Sequence, residues 1–347
     1  MAKDLAKRKR EHLKLCLTDK VAFRKKTSGF EEYDFIHDAS TSVSLEKISL
    51  KTRFFGFTSS LPFIISCMTG GTDDTNNINK KLAVAASGLS IPLGLGSLRY
   101  ALYSDEHDHI FHEIRSLAPD VPLIGNIGIA QITKREGFEK LLRISEDIRM
   151  DAIAVHFNPL QELFQKNGEP ESSRLDDAFA EFVKYIKIPV IAKEVGSGIS
   201  AAAAATFLKY GASAIDTAGA GGTSWSGVEF LRSKKEDEET EIFWDWGIPS
   251  SYCIRTIQKL KRKKNFLLIG SGGINDALTA AKALALGADF AATARTVLKV
   301  LEREGAEGVT AMFERWGDIL KKTMYLTGAR TLSDFRKKKI IRYEKYY

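Results

Sequence analysis

The sequence predicts an α/β protein, a (β/α)8 TIM barrel with an N-terminal extension and C-terminal helices. Three observations predict it. Short apolar runs recur eight times along the 347 residues, helical segments separate them, and almost every run closes on glycine or polar residues. A parallel strand covered by helices is apolar on both faces, which accounts for the runs. Barrel strands deliver function at their C-terminal ends, where the polar residues fall.

The first four runs are PFIISC from 62, IPLGLG from 91, VPLIGNIG from 121 and DAIAVHF from 151. IPVIAKEV from 188, SAIDTAG from 213, FLLIGSGG from 266 and DFAATAR from 289 complete the series. Helix punctuation lies between them. Ser200 can cap AAAAATFLKY and Asp276 can cap ALTAAKALAL, with Gly211 and Gly287 following the two ends. An open doubly wound sheet is the alternative, but no dinucleotide-binding glycine fingerprint opens the series. One domain over 1–347 is expected, with an extension to about residue 60, a barrel over 61–296 and a helical segment over 297–347. The longest interruption, 223–250, contains SKKEDEETE and reads as an acidic, mobile insertion after strand six.

Composition narrows the class. Hydrophobic residues make up 44% and charged residues 27%, the balance of a soluble globular protein. No apolar run approaches the roughly 20 residues that span a bilayer. The basic start, MAKDLAKRKREHLKL, has no apolar signal core, so a cytoplasmic location is expected. Cys16, Cys67 and Cys253 form no metal-type pair. The net charge of +7 gathers in KRKR at 7–10, KLKRKK at 259–264 and RKKK at 336–339. No aromatic platform or nucleic-acid motif accompanies them, so they read first as solvated faces and second as contacts to a small anion.

The strand ends indicate a ligand. GAGGTS (219–224) and GSGGIND (270–276) allow backbone amides to approach a phosphate, and Arg295 adds a cation after strand eight. Lys193 in PVIAKEV needs a partner if buried; either an ion pair with Glu194 or Asp216, or a place beside the electron-accepting ring of a flavin, would satisfy it. Backbone amides and the Thr69 hydroxyl in CMTGGT (67–72), with Ser97 and Asn126, offer neutral hydrogen-bonding groups to a flat heterocycle. Together they read as a flavin mononucleotide seat.

RKREHL, MTGG, GLGSLR, GNIG, HFNPLQE, AKEVGSGIS, GAGGTSW, WGIPS, SGGI and AKALALGA occur in this order. From about residue 7 to about 330 the chain closely resembles the type 2 isopentenyl diphosphate isomerases, flavin- and magnesium-dependent barrels. The resemblance implies that Arg8 and Lys9 contact a substrate diphosphate, with Ser97, Leu98 and Arg99 as further substrate contacts. It places the flavin on Cys67, Met68, Thr69, Ser97, Asn126, Lys193, Thr223, Gly272, Gly273, Ile274, Ala294 and Arg295. It gives Gln161 and His156 catalytic and substrate-lining positions and makes Glu162 the magnesium ligand. Ala218 stands where many members have serine, and Asn275 where many have arginine, which weakens the expected phosphate contacts.

The implied reaction is a redox-neutral 1,3-allylic proton shift from isopentenyl to dimethylallyl diphosphate, part of isoprenoid biosynthesis. Reduced FMN would act as acid and base, Mg2+ would sit on the diphosphate, and NADPH would prime the flavin once. The family also implies a homo-oligomer, a tetramer or octamer; the residues themselves point to no nucleic-acid or membrane partner. Two alternatives remain at this stage. A flavin-dependent 2-hydroxy acid oxidase or dehydrogenase needs a histidine base late in the barrel, and no histidine follows His156. A non-catalytic diphosphate-binding barrel leaves HFNPLQE without a purpose.

Overall fold

Eight parallel strands close into a barrel in chain order. They are β1 (Phe63–Ile65), β2 (Leu93–Gly94), β3 (Leu123–Gly128), β4 (Ala152–Phe157), β5 (Val190–Glu194), β6 (Ala214–Asp216), β7 (Leu267–Ser271) and β8 (Phe290–Thr293). All eight expected runs supply a strand. The structure is a computed structural model that describes all residues except 1, 69, 71–72, 104–107, 134–135, 166–167, 169–174, 234–237, 338–339 and 344–347.

Helices follow every strand and cover the outside of the barrel. Two show why the sequence stops and starts where it does. The Ser200 hydroxyl accepts the Ala203 amide at 3.1 Å, and the Asp276 carboxylate accepts that of Thr279 at 2.8 Å. Gly211 (φ 101°) and Gly287 (φ 114°) then turn the chain out of the helices with backbone angles that only glycine adopts without strain.

Strand alternation separates the barrel interior into two layers. Inward positions low in the barrel are apolar: Ile64, Ile124, Ala154, Ile191, Ala214 and Ile269 form one buried cluster. Two residues further on, the same faces carry Asn126, His156, Lys193, Asp216 and Ser271. Register keeps these level, because His156 pairs with Lys193 and Lys193 with Asp216 across β4, β5 and β6. The lower layer is a packed core and the upper layer is the floor of a site.

The N-terminal extension does two jobs. A hairpin of Thr52–Phe54 and Phe57–Ser59 plugs the lower end of the barrel, with Phe54 fully buried against Phe290 at 5.6 Å in an edge-to-face contact. Helix α1 (Ala2–Cys16) lies at the other end, over the strand C-termini.

Two expectations need correction. The described residues of the 223–250 stretch, which leave out 234–237, are not a loose insertion, because they form helices α3 (Trp225–Ser233) and α4 (Glu238–Ile242). Buried Val228 and Trp244 anchor them, as does the Trp244 indole nitrogen, which donates to the Ala22 carbonyl at 2.8 Å. The C-terminal segment is helical only in part. After helix Leu332–Lys337, Ile340–Arg342 pairs antiparallel with Tyr33–Phe35 and ties the tail to the extension.

Candidate active site

A cavity of about 290 Å³ opens at the C-terminal ends of the strands, between the polar layer and α1. On its floor the Lys193 ammonium donates to Asp216 at 2.8 Å, and the Ser271 hydroxyl donates to the other Asp216 oxygen. This resolves the choice of partner for Lys193. Glu194 points into its own loop instead and accepts the backbone amides of Val195, Gly196, Ser197 and Gly198. Burial nonetheless pushes the Glu194 carboxyl above its usual range.

His156 Nδ1 lies 3.0 Å from Asn126 Oδ1, so the proton sits on Nδ1 and Nε2 keeps its lone pair. Burial, then the charges of Lys193 and Arg99, depress its pKa to about 4 and leave the ring neutral. Burial also raises the Cys67 thiol to about 12, so it lines the cavity as a neutral thiol.

At one end the two glycine loops interlock. A Cβ on Gly222 would come within 2.7 Å of the Gly273 nitrogen, and one on Gly272 (φ 96°) within 2.1 Å of the Gly219 carbonyl oxygen. Arg295 opens helix α5 (Arg295–Leu326) beside them. Its Nη1 is buried without a hydrogen-bond partner among the described residues, and its Nη2 is 3.9 Å from Asp19. A buried donor left unpaired costs about 1–3 kcal/mol. An orphaned guanidinium nitrogen over a glycine cradle at a helix N-terminus fits a phosphate and so fits FMN. The Asn275 amide oxygen accepts the Thr296 hydroxyl at 3.2 Å, and the Ala218 amide donates to Ser271 at 2.9 Å. The two departures are thus absorbed into the walls of the seat.

The other end is cationic. Arg8, Lys9, His12, Leu13 and Cys16 line the cavity from one face of α1, as helical spacing dictates. The Lys9 ammonium donates to the Gly70 carbonyl. Burial, then Arg8 and Arg99, lowers its pKa to about 8. The Arg8 pKa falls for the same reasons, burial first and then Arg99. Three cations crowded into a partly desolvated pocket select a multiply charged anion.

Between the two ends stands helix α2 (Pro159–Phe164), started by Pro159 in its first turn. The Asn158 amide nitrogen donates to Gln161 Oε1 at 3.2 Å and to Glu162 Oε1 at 2.9 Å. Gln161 Nε2 in turn donates to Glu229 Oε1 at 3.2 Å. The amide of Gln161 is therefore oriented from both sides. Glu229, on α3, also meets His12 Nε2 at 3.0 Å and pairs with Arg232. Burial raises the Glu229 pKa, but His12, Arg232 and Gln161 together hold it below the usual carboxylate value.

The cavity brings together Arg8, Lys9, Cys67, Met68, Ser97, Arg99, Asn126, His156, Gln161, Glu162, Lys193, Thr223, Gly272, Gly273, Ile274, Ala294 and Arg295. Leu98 does not join them. Its side chain is fully buried in the core, and only its amide is engaged, donating to the Asn126 carbonyl at 2.8 Å. Thr69 lies outside the described residues. Sequence reasoning gave no role to Glu229 and Arg232, and it met His12 and Trp225 only inside the RKREHL and GAGGTSW motifs. The signal for Trp225, Glu229 and Arg232 was the helical spacing of WSGVEFLRS, masked by the acidic run beside it. Among the described residues no three His, Cys, Asp or Glu side chains cluster to hold a metal. Glu162 offers one hard oxygen donor on the cavity wall.

Comparison with known proteins agrees with this geometry. The sequence profile of the FMN-dependent dehydrogenase family matches residues 130–342, more than half of the chain. An isopentenyl-diphosphate delta-isomerase of Chlorobaculum parvum is 38% identical over 97% of this chain and 97% of its own length. One of Pyrococcus abyssi is 39% identical over 95% of this chain and 90% of its own length. Among solved structures, a lactate oxidase of Pediococcus acidilactici superposes with a TM-score of 0.69 at 18% identity, covering 95% of this chain and 87% of that one. A mandelate oxidase with (S)-2-phenylpropionate superposes with a TM-score of 0.68 at 16% identity, covering 98% of each chain. At such identities the oxidases speak for the fold alone, whereas the near full-length relatives show that the chain belongs to the FMN-dependent, type 2 isopentenyl-diphosphate delta-isomerases.

Proposed function

We propose that the protein converts isopentenyl diphosphate to dimethylallyl diphosphate by a 1,3-allylic proton shift, with FMN on the barrel floor, Mg2+ on the diphosphate and NADPH as the priming reductant. The observation that carries this reading is the placement of Gln161 and Glu162, adjacent in α2 and both fixed by Asn158, beside a cluster of three cations. One short helix can then face both parts of one substrate, its alkene and its diphosphate.

Reduced FMN supplies acid–base chemistry and an electron-rich face when bound. Lys193, held by Asp216, gives that seat a fixed positive charge, and the glycine loops with Arg295 hold the phosphate. Arg8, Lys9 and Arg99 bind the substrate diphosphate. Glu162 would hold a Mg2+ ion, which would supply positive charge to the diphosphate, since this cation is commonly held by one or two carboxylates plus phosphate and water. Gln161 is a neutral amide and a poor base. Behind it Glu229 is a buried carboxylate that accepts the Gln161 amide N–H and so polarises and orients the amide. Neutral His156 lines the pocket with its Nε2 lone pair available as an acceptor.

The hydroxy-acid oxidase alternative is disfavoured by chemistry at the same positions. Such an enzyme needs one histidine base and one arginine for a monocarboxylate; here three cations stand together and the histidine is neutral and tied to Asn126. Turnover in D2O tests the proposal. Deuterium should enter both recovered substrate and product, and Gln161→Ala should slow that exchange at least a hundredfold with flavin retained. Product that carries no solvent deuterium would rule out the proton shift.

A further inference from the structure

Helix α1 carries adjacent residues, Glu11 and His12, to two residues one turn apart on α3. Glu11 Oε2 accepts Arg232 Nε at 3.1 Å, and His12 Nε2 meets Glu229 Oε1 at 3.0 Å. Arg232 Nη1 also pairs with Glu229 Oε2, so both oxygens of the carboxylate are engaged. The Glu229 side chain is 2% exposed and that of Arg232 15%. Neither residue is in the part of the sequence from which a role was expected.

We propose that Arg232 is a positioning residue that couples seating of the N-terminal helix to the charge on Glu229 behind Gln161. Through Glu11 it latches α1, and with it Arg8 and Lys9, over the diphosphate. Through Glu229 it keeps a buried carboxylate ionised and aimed at the amide. The groups facing Glu229 are His12 and, within Coulombic reach, Arg8 from α1, Gln161 from α2 and Arg232 from its own helix. Of these Arg232 is the permanent charge in direct contact. Its removal leaves a desolvated carboxylate that favours its protonated form. The inference rests on the isomerase reading for its kinetic arm only, because α1 seating is a property of anion binding.

Two measurements on the FMN-loaded protein test it. Calorimetric titration with inorganic pyrophosphate reads α1 seating without turnover. Glu11→Gln and Arg232→Gln should each weaken binding about threefold, the worth of a partly exposed ion pair. The pH profile of kcat reads Glu229. Glu11→Gln should leave its acid limb in place, Arg232→Gln should move that limb up by about one unit, and Arg232→Lys should restore it. Wild-type affinity for pyrophosphate in both variants overturns the latch. An acid limb unmoved in Arg232→Gln, or activity lowered equally at every pH, overturns the coupling. If the wild-type protein binds pyrophosphate but does not isomerise, the functional reading fails while the latch is still decided by the titration.

Discussion

Two single residues of the cavity, Lys9 and His156, each carry a pH signature. Lys9, held near 8 by burial and by Arg8 and Arg99, loses its charge just above neutrality. The basic limb of kcat/KM should therefore fall near pH 8, and Lys9→Arg should move it upward by at least one unit, as read from initial rates at low substrate. His156 acts on stability. Its value near 4 lies below the ordinary 6.5, so on acidification the unfolded chain takes the proton first. Its contribution is complete above about 6.5 and is lost towards pH 4 at about 1.4 kcal/mol per unit. Urea titrations at pH 7 and 5 should show a smaller acid loss in His156→Gln than in the native chain. Period-two alternation made Asn126, His156 and Lys193 legible as one inward layer, whereas Glu229 and His12 are 217 residues apart and meet only through tertiary packing.

At the scale of elements, α2 is the proposed functional unit. Asn158→Ala removes one orienting tie from each of Gln161 and Glu162, so kcat should fall at least tenfold and the Mg2+ requirement should rise, with flavin affinity unchanged. A magnesium dependence equal to that of the native protein would remove Asn158 as the common orienter. The lower hairpin is a structural unit. Phe54→Ala opens a hole beneath the barrel core and should cost about 3–5 kcal/mol in unfolding free energy. The eight strands and the caps at Ser200 and Asp276 were legible because each is written locally, in apolar runs and cap residues. The plug was not, because TRF and FTS carry no continuous apolar run and each strand buries only its last residue. Helices α3 and α4 were misread because SKKEDEETE has the composition of a disordered segment, and its anchors Val228 and Trp244 lie outside that run.

Across the whole molecule, the basic surplus divides by position. Arg8, Lys9, Arg99 and Arg295 line the cavity at the top of the barrel. Lys261 and Arg336, from the two later basic clusters, converge on Asp289 and the carbonyl of Ala288 at the N-terminal start of β8. Those clusters contain structural ties. No helix among the described residues is long and apolar enough to cross a membrane. The chain thus uses one end of its barrel for packing and charge pairing and the other for chemistry. The most direct test of that chemistry counts reductant against product. FMN-loaded protein, reduced once with NADPH under anaerobic conditions, should turn over many equivalents of isopentenyl diphosphate to dimethylallyl diphosphate with no further NADPH consumed. Consumption of NADPH in step with product, or no product from a fully reduced flavoprotein, would contradict the account.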